Sequence, residues 1–316
     1  MNVSSSLEGH VVLKSFDCCF KILRSQVRVS WCVDCKVLLM DFLLPLRIVW
    51  RATLQPDFEK RMARLRELRK IARFNRRDKS RDQEVIELFR RLTPSVAPPL
   101  RLVGGSSDGG YLVPDYELPG LALFSAGVGH VVEFEYDFAE RGCDVFLADG
   151  TVSQPPRAHP NFFFEPQNIG LSKTEISLET WILGNAQPAQ PIAIQMDIEG
   201  AEWVALSKES ISDETLARIE WIVVEFHAIE RLWRDKSWPG MVSVIDRMLE
   251  CFLPVAVHAN NCASGLKIDN CTFPTVFEVT FLNKRAGNDA TPDNRIFPTF
   301  RNCPNRPPIE WPIVGV

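Results

Sequence analysis

Residues 121–129 of this 316-residue chain read LALFSAGVG, and residues 144–151 read DVFLADGT. Each stretch contains a short apolar run of the kind that forms a parallel strand buried on both faces. The first run ends in a bend of small residues, and the second ends in Asp149. A glycine bend before a helix lets a ligand approach the backbone, and an acid about 20 residues further on is placed to accept the hydroxyls of a ribose. Together they predict a site for an adenosine-containing cofactor.

Short apolar runs continue to alternate with helical stretches as far as the C-terminus, which predicts a doubly wound sheet. Further strands are expected at 162–164, 192–196, 219–226, 254–258 and 276–282, and helices at 131–141, 201–207 and 241–252. Little helix separates the last two strands, which favours an antiparallel edge. We therefore expect an α/β, Rossmann-like fold with a mostly parallel sheet, an antiparallel edge strand and an N-terminal helical extension.

Polar side chains follow three of the later strands, at the sheet edge where ligands bind in open parallel sheets. The segment MDIEGAEW places Asp197 and Glu199 after one strand, VVEFH ends in His227, and HANN begins with His258 and ends with Asn261. Desolvating carboxylates directly after a buried strand costs free energy, so such groups are usually paired with a partner or take part in binding or catalysis. These positions predict a catalytic cluster, whereas the histidine and asparagine of HANN are expected to shape the pocket.

In their order along the chain, these motifs resemble those of the FkbM-type methyltransferases. The matching segments are GGSSDGGYLVP, SAGVG, LADGT, MDIEGAEW, VVEFH, HANN and a final FEVTF strand. The resemblance covers residues 101–316 and implies the class I methyltransferase fold, S-adenosylmethionine as cofactor and, in general, methyl transfer to oxygen. The bend SAGVG departs from the Asp-x-Gly-x-Asn form that is common in the wider family.

By position, the resemblance also implies roles for individual residues. Ser125, Gly127 and Gly129 are expected to line the methionine part of the cofactor, and Asp149 is expected to hold its ribose. Asp197 and Glu199 are expected to flank the transfer site.

Methyl transfer from a sulfonium is an in-line displacement, and a base helps when the acceptor is a hydroxyl of high pKa. We expect His227 or Asp197 to take this proton, and Glu199 to orient a hydroxyl of a sugar or other small molecule. The same three residues would also suit a divalent cation bound to the acceptor oxygen, but the sequence assigns no metal. Two other classes fit: a metal-dependent glycosyltransferase that uses the two acids, and a non-catalytic Rossmann-like module with a basic arm for RNA or a partner.

Charge is divided unevenly along the chain, although the net charge is only −4. Residues 1–100 contain 20 Lys and Arg against 11 Asp and Glu, whereas the remainder contains 16 against 29. We expect a poorly determined N-terminal extension over 1–56, a basic helical arm over 57–100 and a methyltransferase domain over 101–316. The arm is expected to act as a lid or to form an oligomer contact. The excess of acids in the domain makes a nucleic acid substrate less favourable.

The nine cysteines are odd in number and follow no secretory signal, which predicts free thiols in a reducing, cytoplasmic compartment. Cys32 and Cys35 form a CxxC pair without a second well-spaced pair. The apolar stretch over 31–50 is interrupted by four charged residues, so no transmembrane span is expected.

Overall fold

The structure of this protein is a computed structural model, and it describes residues 71–72, 74–75, 77–94, 98–115, 118–268, 271–286, 302–307, 309 and 311. The predicted extension over 1–56, the CxxC pair and residues 57–70 of the predicted arm lie outside these ranges. Within them, no helix is both long enough and apolar enough to cross a bilayer.

The strands, in chain order, are β1 (Leu100–Val103), β2 (Tyr111–Pro114), β3 (Ala122–Ala126), β4 (Asp144–Ala148), β5 (Phe162–Glu165), β6 (Ile192–Met196), β7 (Ile219–Phe226), β8 (Phe252–Ala259), β9 (Gly265–Ile268), β10 (Cys271–Pro274) and β11 (Phe277–Asn283). The α-helices with described bounds are α1 (Asp82–Leu92), α2 (Glu133–Ala139), α3 (Leu178–Asn185), α4 (Glu202–Ala205), α5 (Asp213–Ala217) and α6 (Trp238–Cys251).

Seven strands form one sheet in the order β5-β4-β3-β6-β7-β11-β8. The first five run parallel, and β11 is antiparallel to both of its neighbours, β7 and β8. This order is that of the Rossmann-like class I methyltransferase fold. The predicted mostly parallel sheet with an antiparallel edge is therefore confirmed: β11 is the antiparallel strand, and β8 is the outermost strand beside it. The pairs β1-β2 and β9-β10 form separate hairpins.

The strands form where the sequence offers apolar residues for both faces of the sheet. All five residues of β6 are buried, and its bounds and those of β7 equal the predicted runs. In β3, Phe124 belongs to the larger hydrophobic cluster, whereas its neighbour Leu123 belongs to a second cluster. Because neighbouring strand residues point to opposite faces, the two clusters are the two layers that enclose the sheet.

Helix α1 lies within the predicted helical arm and packs its apolar side chains against the larger cluster. Val85 and Phe89 are buried, and the Phe89 ring stacks 5.2 Å from the ring of Trp311. Basic residues of the same region pair with acids of the domain: Arg91 lies 2.7 Å from Asp246. This part of the predicted arm is therefore packed on the domain.

The described part of the C-terminal tail, residues 302–307, 309 and 311, forms a strap that is held against the domain. Asn261 donates hydrogen bonds to the carbonyls of Cys303 (2.9 Å) and Arg306 (3.1 Å) and accepts one from the Cys303 N–H. A disulfide joins Cys262 to Cys303. The prediction of free thiols is wrong for this pair, because a separation of 41 residues hides the contact that the fold creates.

Candidate functional site

The glycine bend connects the ends of three strands. Gly127 has φ +91°, and a Cβ built on it would lie 1.7 Å from the carbonyl oxygen of Asp197. The Gly127 N–H donates to the Ala148 carbonyl (3.0 Å), and the Asp197 N–H donates to the Ala126 carbonyl (2.9 Å). Only glycine therefore fits at residue 127, where the backbones that leave β3 and β6 touch.

Asp149 reaches from the end of β4 to this bend. Its Oδ2 accepts the Gly129 N–H at 2.8 Å, and its Oδ1 accepts the N–H and hydroxyl of Thr151 at 2.7 and 2.6 Å. Burial alone would raise the pKa of Asp149, but the hydrogen bonds from Thr151 and Gly129 outweigh it and lower the pKa. The group is thus an ionised acceptor at neutral pH, and Oδ2 keeps capacity for a further donor.

A single cavity of about 470 Å³ lies at this edge of the sheet. Gly127, Gly129, Asp149, Asp197 and Glu199 all line it, so five of the predicted site residues come together. Small-molecule sites usually enclose roughly 300–1,000 Å³, and a cavity of this size accommodates a nucleoside-sized ligand.

Ser125, predicted to line the cofactor, instead lies behind the cavity wall. It is fully buried, and its hydroxyl lies 2.6 Å from Glu135 Oε1 and 2.7 Å from Gln195 Oε1. A hydroxyl has one proton and can donate to only one of these oxygens. A protonated Glu135 carboxyl satisfies both contacts, because it donates to the serine oxygen while the serine donates to the amide oxygen.

Glu135 itself lines the cavity, although it was not among the predicted site residues. It is 4% exposed, and burial raises its pKa to about 7. The signal in the sequence was an acid on an inward-facing position of α2, between the buried side chains of Phe134 and Phe138. Burying an acid at such a position costs free energy unless a ligand or a neighbouring group interacts with it.

His227, the predicted base, lies behind the wall formed by Asp197 and Glu199. Its Nε2 is 3.8 Å from a carboxylate oxygen of each. Its Nδ1 is 2.9 Å from Oε1 of Glu202, which is fully buried. That oxygen also accepts the N–H groups of Ile198 and Gly200, both at 3.1 Å. The Glu202 carboxylate, which was not among the predicted site residues, fixes both the histidine ring and the turn that carries Asp197 and Glu199.

Burial and the neighbouring charges shift the pKa values of His227 and Asp197. Burial alone would lower the pKa of His227, but its hydrogen bond to Glu202 and the nearby negative charges raise it. Burial raises the pKa of Asp197 to about 6; the positive charge of His227 acts in the opposite direction, and that of Glu199 adds to the rise. Glu199 itself is an exposed non-glycine residue with φ +55°, a strained conformation typical of functional turns.

A row of buried polar groups extends from this cluster across β7, β11 and β8, where Glu278 pairs in register with Glu225 and His258. Glu225 accepts a hydrogen bond from Asn260 (2.8 Å), and Glu278 accepts one from Asn302 (2.7 Å). Burial raises the pKa of Glu225 well above its ordinary value and that of Glu278 to about 8.

The polar side chains of the HANN segment therefore form hydrogen bonds with this row of polar groups and with the C-terminal strap. His258 Nε2 lies 2.7 Å from Asn302 Oδ1, and neither His258 nor Asn261 lines the cavity. The carbonyl of Asn302 accepts the N–H of Asp108, which does line it (3.2 Å). The two predicted pocket-shaping residues thus act at a distance, through the strap.

A metal-like arrangement is also present, although not the one that the sequence suggested. Asp197, Glu225 and His227 offer ligand atoms within 4.8 Å of one another, so Glu225 takes the place expected for Glu199. Exposed acidic groups often form such clusters without an ion, and the arrangement alone assigns no metal.

The sheet order and the cavity at its carboxyl edge define the fold as Rossmann-like and class I methyltransferase in type. No protein-family model matches the chain, and no curated protein matches it. The FkbM resemblance is therefore not confirmed and rests on the motifs alone.

Among solved structures, the chain is similar to the 16S rRNA (adenine(1408)-N(1))-methyltransferase from Catenulisporales acidiphilia, at 10% identity in each of three forms. Two mutant forms match 58% and 62% of this chain and 98% and 99% of their own, with TM-scores of 0.27 and 0.26. The unmutated form matches 58% of this chain and 98% of its own, with a TM-score of 0.25. A likeness this weak carries no argument about activity.

Proposed function

We propose that this protein is an S-adenosylmethionine-dependent methyltransferase of the FkbM type that methylates a hydroxyl oxygen of a sugar or other small molecule. The observation that carries the proposal is the contact between the Asp149 carboxylate and the Gly129 N–H in the wall of one cavity. The carboxylate suits ribose hydroxyls, and the small residues of the bend allow close approach of the rest of the cofactor.

The residues present fit this cofactor in both size and chemistry. The cavity of about 470 Å³ suits a nucleoside with an amino-acid tail, and Asp149 is held ionised by its hydrogen-bond donors. When bound, S-adenosylmethionine supplies an activated methyl group. The role of the protein is then to hold the acceptor oxygen in line and to remove its proton.

Asp197 is a better candidate than His227 for the residue that removes the proton. Asp197 lines the cavity and, with a pKa of about 6, is ionised at neutral pH yet more basic than an ordinary aspartate. His227 does not line it, and its raised pKa favours the protonated form, which cannot accept a proton. We assign to His227 the role of countercharge for Asp197 and Glu199.

The acceptor is best sought among uncharged hydroxyl compounds. Asp108, Asp197 and Glu199 line the cavity, and the residues from 101 onward carry an excess of acids. A polyanion such as RNA would be repelled by this charge, whereas sugar hydroxyls are good donors to carboxylates.

The proposal is tested by methyl transfer from labelled S-adenosylmethionine to a panel of sugars, small alcohols and RNA. Asp197→Asn is expected to reduce turnover by roughly 10²–10⁴-fold, the usual contribution of a positioned base, while cofactor binding is retained. Asp144→Asn, at the opposite end of β4, is the matched control and is expected to keep full activity. Full turnover by Asp197→Asn would remove this residue from the mechanism, and transfer to RNA alone would refute the proposed acceptor class.

The cluster of Asp197, Glu225 and His227 supports one alternative function, that of a metal-dependent glycosyltransferase. Such an enzyme would bind a nucleotide sugar only with Mn²⁺ or Mg²⁺ and would not bind S-adenosylmethionine. Calorimetric titration of both ligands, with and without the metal, separates the two functions.

A further inference from the structure

We propose that Glu135 is the carboxylate that binds the α-ammonium group of the cofactor's methionine part, a role that the glycine bend itself does not fill. This inference rests on the proposed function. The bend begins with Ser125, whereas the form common in the wider family begins with an aspartate. In this chain the serine side chain is buried and contacts Glu135 at 2.6 Å, so an acid from α2 occupies the space beside the end of β3.

The position of Glu135 suits a cationic ligand. It lines the same cavity as Gly127, Gly129 and Asp149, but its own hydrogen bond is to Ser125 at the end of β3, whereas Asp149 accepts the N–H of Gly129. No salt bridge joins a Lys, Arg or His of the described residues to this carboxyl. A buried acid without a cationic partner is stabilised when a ligand brings one.

The protonation state of Glu135 is expected to change when the cofactor binds, and this change can be measured. With its pKa near 7, raised by burial, Glu135 is largely protonated in the free protein at slightly acidic pH. The other charged groups that act on it are acids: Glu133 on its own helix and Asp197 beyond the end of β6, and both raise its pKa. An ammonium group beside the carboxyl would lower that pKa, so cofactor binding would release a proton.

The test is calorimetric titration at pH 6.5 in two buffers of different ionisation enthalpy, with S-adenosylmethionine and with S-adenosylhomocysteine. From the pKa near 7, wild type is expected to release up to about three quarters of a proton at pH 6.5, where the α-amine of either ligand is already charged. Glu135→Gln is expected to abolish most of this release and to weaken both ligands about tenfold to a hundredfold, the usual value of a charged hydrogen bond. Glu140→Gln, exposed at the end of the same helix, is the matched control.

The outcomes separate the inference from the function on which it rests. If folded wild type binds neither ligand, the proposed function fails. If both bind but the Glu135→Gln variant retains full affinity, or wild type releases no proton, the inference fails and the function stands. If only S-adenosylmethionine is weakened, the carboxyl senses the sulfonium and the ammonium assignment is wrong. Should the variant not fold, the proton release of wild type at pH 6.5 on binding S-adenosylhomocysteine decides, because this ligand carries the ammonium but no sulfonium charge that could deprotonate Asp197; no release with this ligand would overturn the inference.

Discussion

Replacing Gly127 with alanine tests the claim that the backbones leaving β3 and β6 are in contact. The new Cβ would lie 1.7 Å from the Asp197 carbonyl oxygen, whereas real Cβ atoms keep at least 3.0 Å, so the two strand ends must separate by about 1.3 Å. The movement strains the hydrogen bond from the Asp197 N–H to the Ala126 carbonyl. Adding the penalty for an alanine at φ +91°, we expect a loss of about 2–5 kcal/mol in the free energy of unfolding.

Gly129→Ala is the matched control for this substitution. Gly129 also has a positive φ, +54°, but a Cβ built there has no neighbouring atom within 4 Å. Only the conformational penalty remains, which is about 1–2 kcal/mol. Urea unfolding followed by circular dichroism measures both variants. Equal losses for the two alanines would refute the steric contact, because the two positions would then differ in nothing but φ.

Two further predictions concern groups outside the cavity wall. Because the pKa of His227 is raised in the folded state, its pairing with Glu202 contributes stability that is present below about pH 6.5 and is lost as pH rises through the folded pKa. Glu202→Gln should therefore cost about 1.5–3 kcal/mol near pH 5.5 and less near pH 9; a pH-independent loss in urea unfolding would contradict the pairing. Replacing Cys262 and Cys303 with serine opens a loop of 41 residues and should lower stability by about 4 kcal/mol. A loss no larger than that of Cys251→Ser would show that the strap is held without the disulfide.

The sheet was predictable because its strands are buried on both faces, and such strands are continuous apolar runs in the sequence. Ile219–Phe226 was expected with these bounds and is observed with them. The bend at Gly127 and the acid at Asp149 were also predictable, since each directly follows a strand and the topology brings strand ends together.

The supporting contacts of the site could not be read from the sequence, because they join residues that are far apart in it. Ser125 meets Gln195 across 70 positions, and Cys262 meets Cys303 across 41. Ser125 was expected to face the cofactor because every position of the bend was treated alike. In the structure, strand alternation and the burial of Ser125 direct its hydroxyl to the acid of α2 instead.

The central claim is that Asp149 and the glycine bend hold one nucleoside, and calorimetric titration with S-adenosylhomocysteine tests it most directly. Wild type and Asp144→Asn are expected to bind with equal affinity, whereas Asp149→Asn should bind at least about tenfold more weakly, because a charged acceptor of ribose hydroxyls is lost. Unchanged affinity in folded Asp149→Asn, or no binding by folded wild type, would contradict the account.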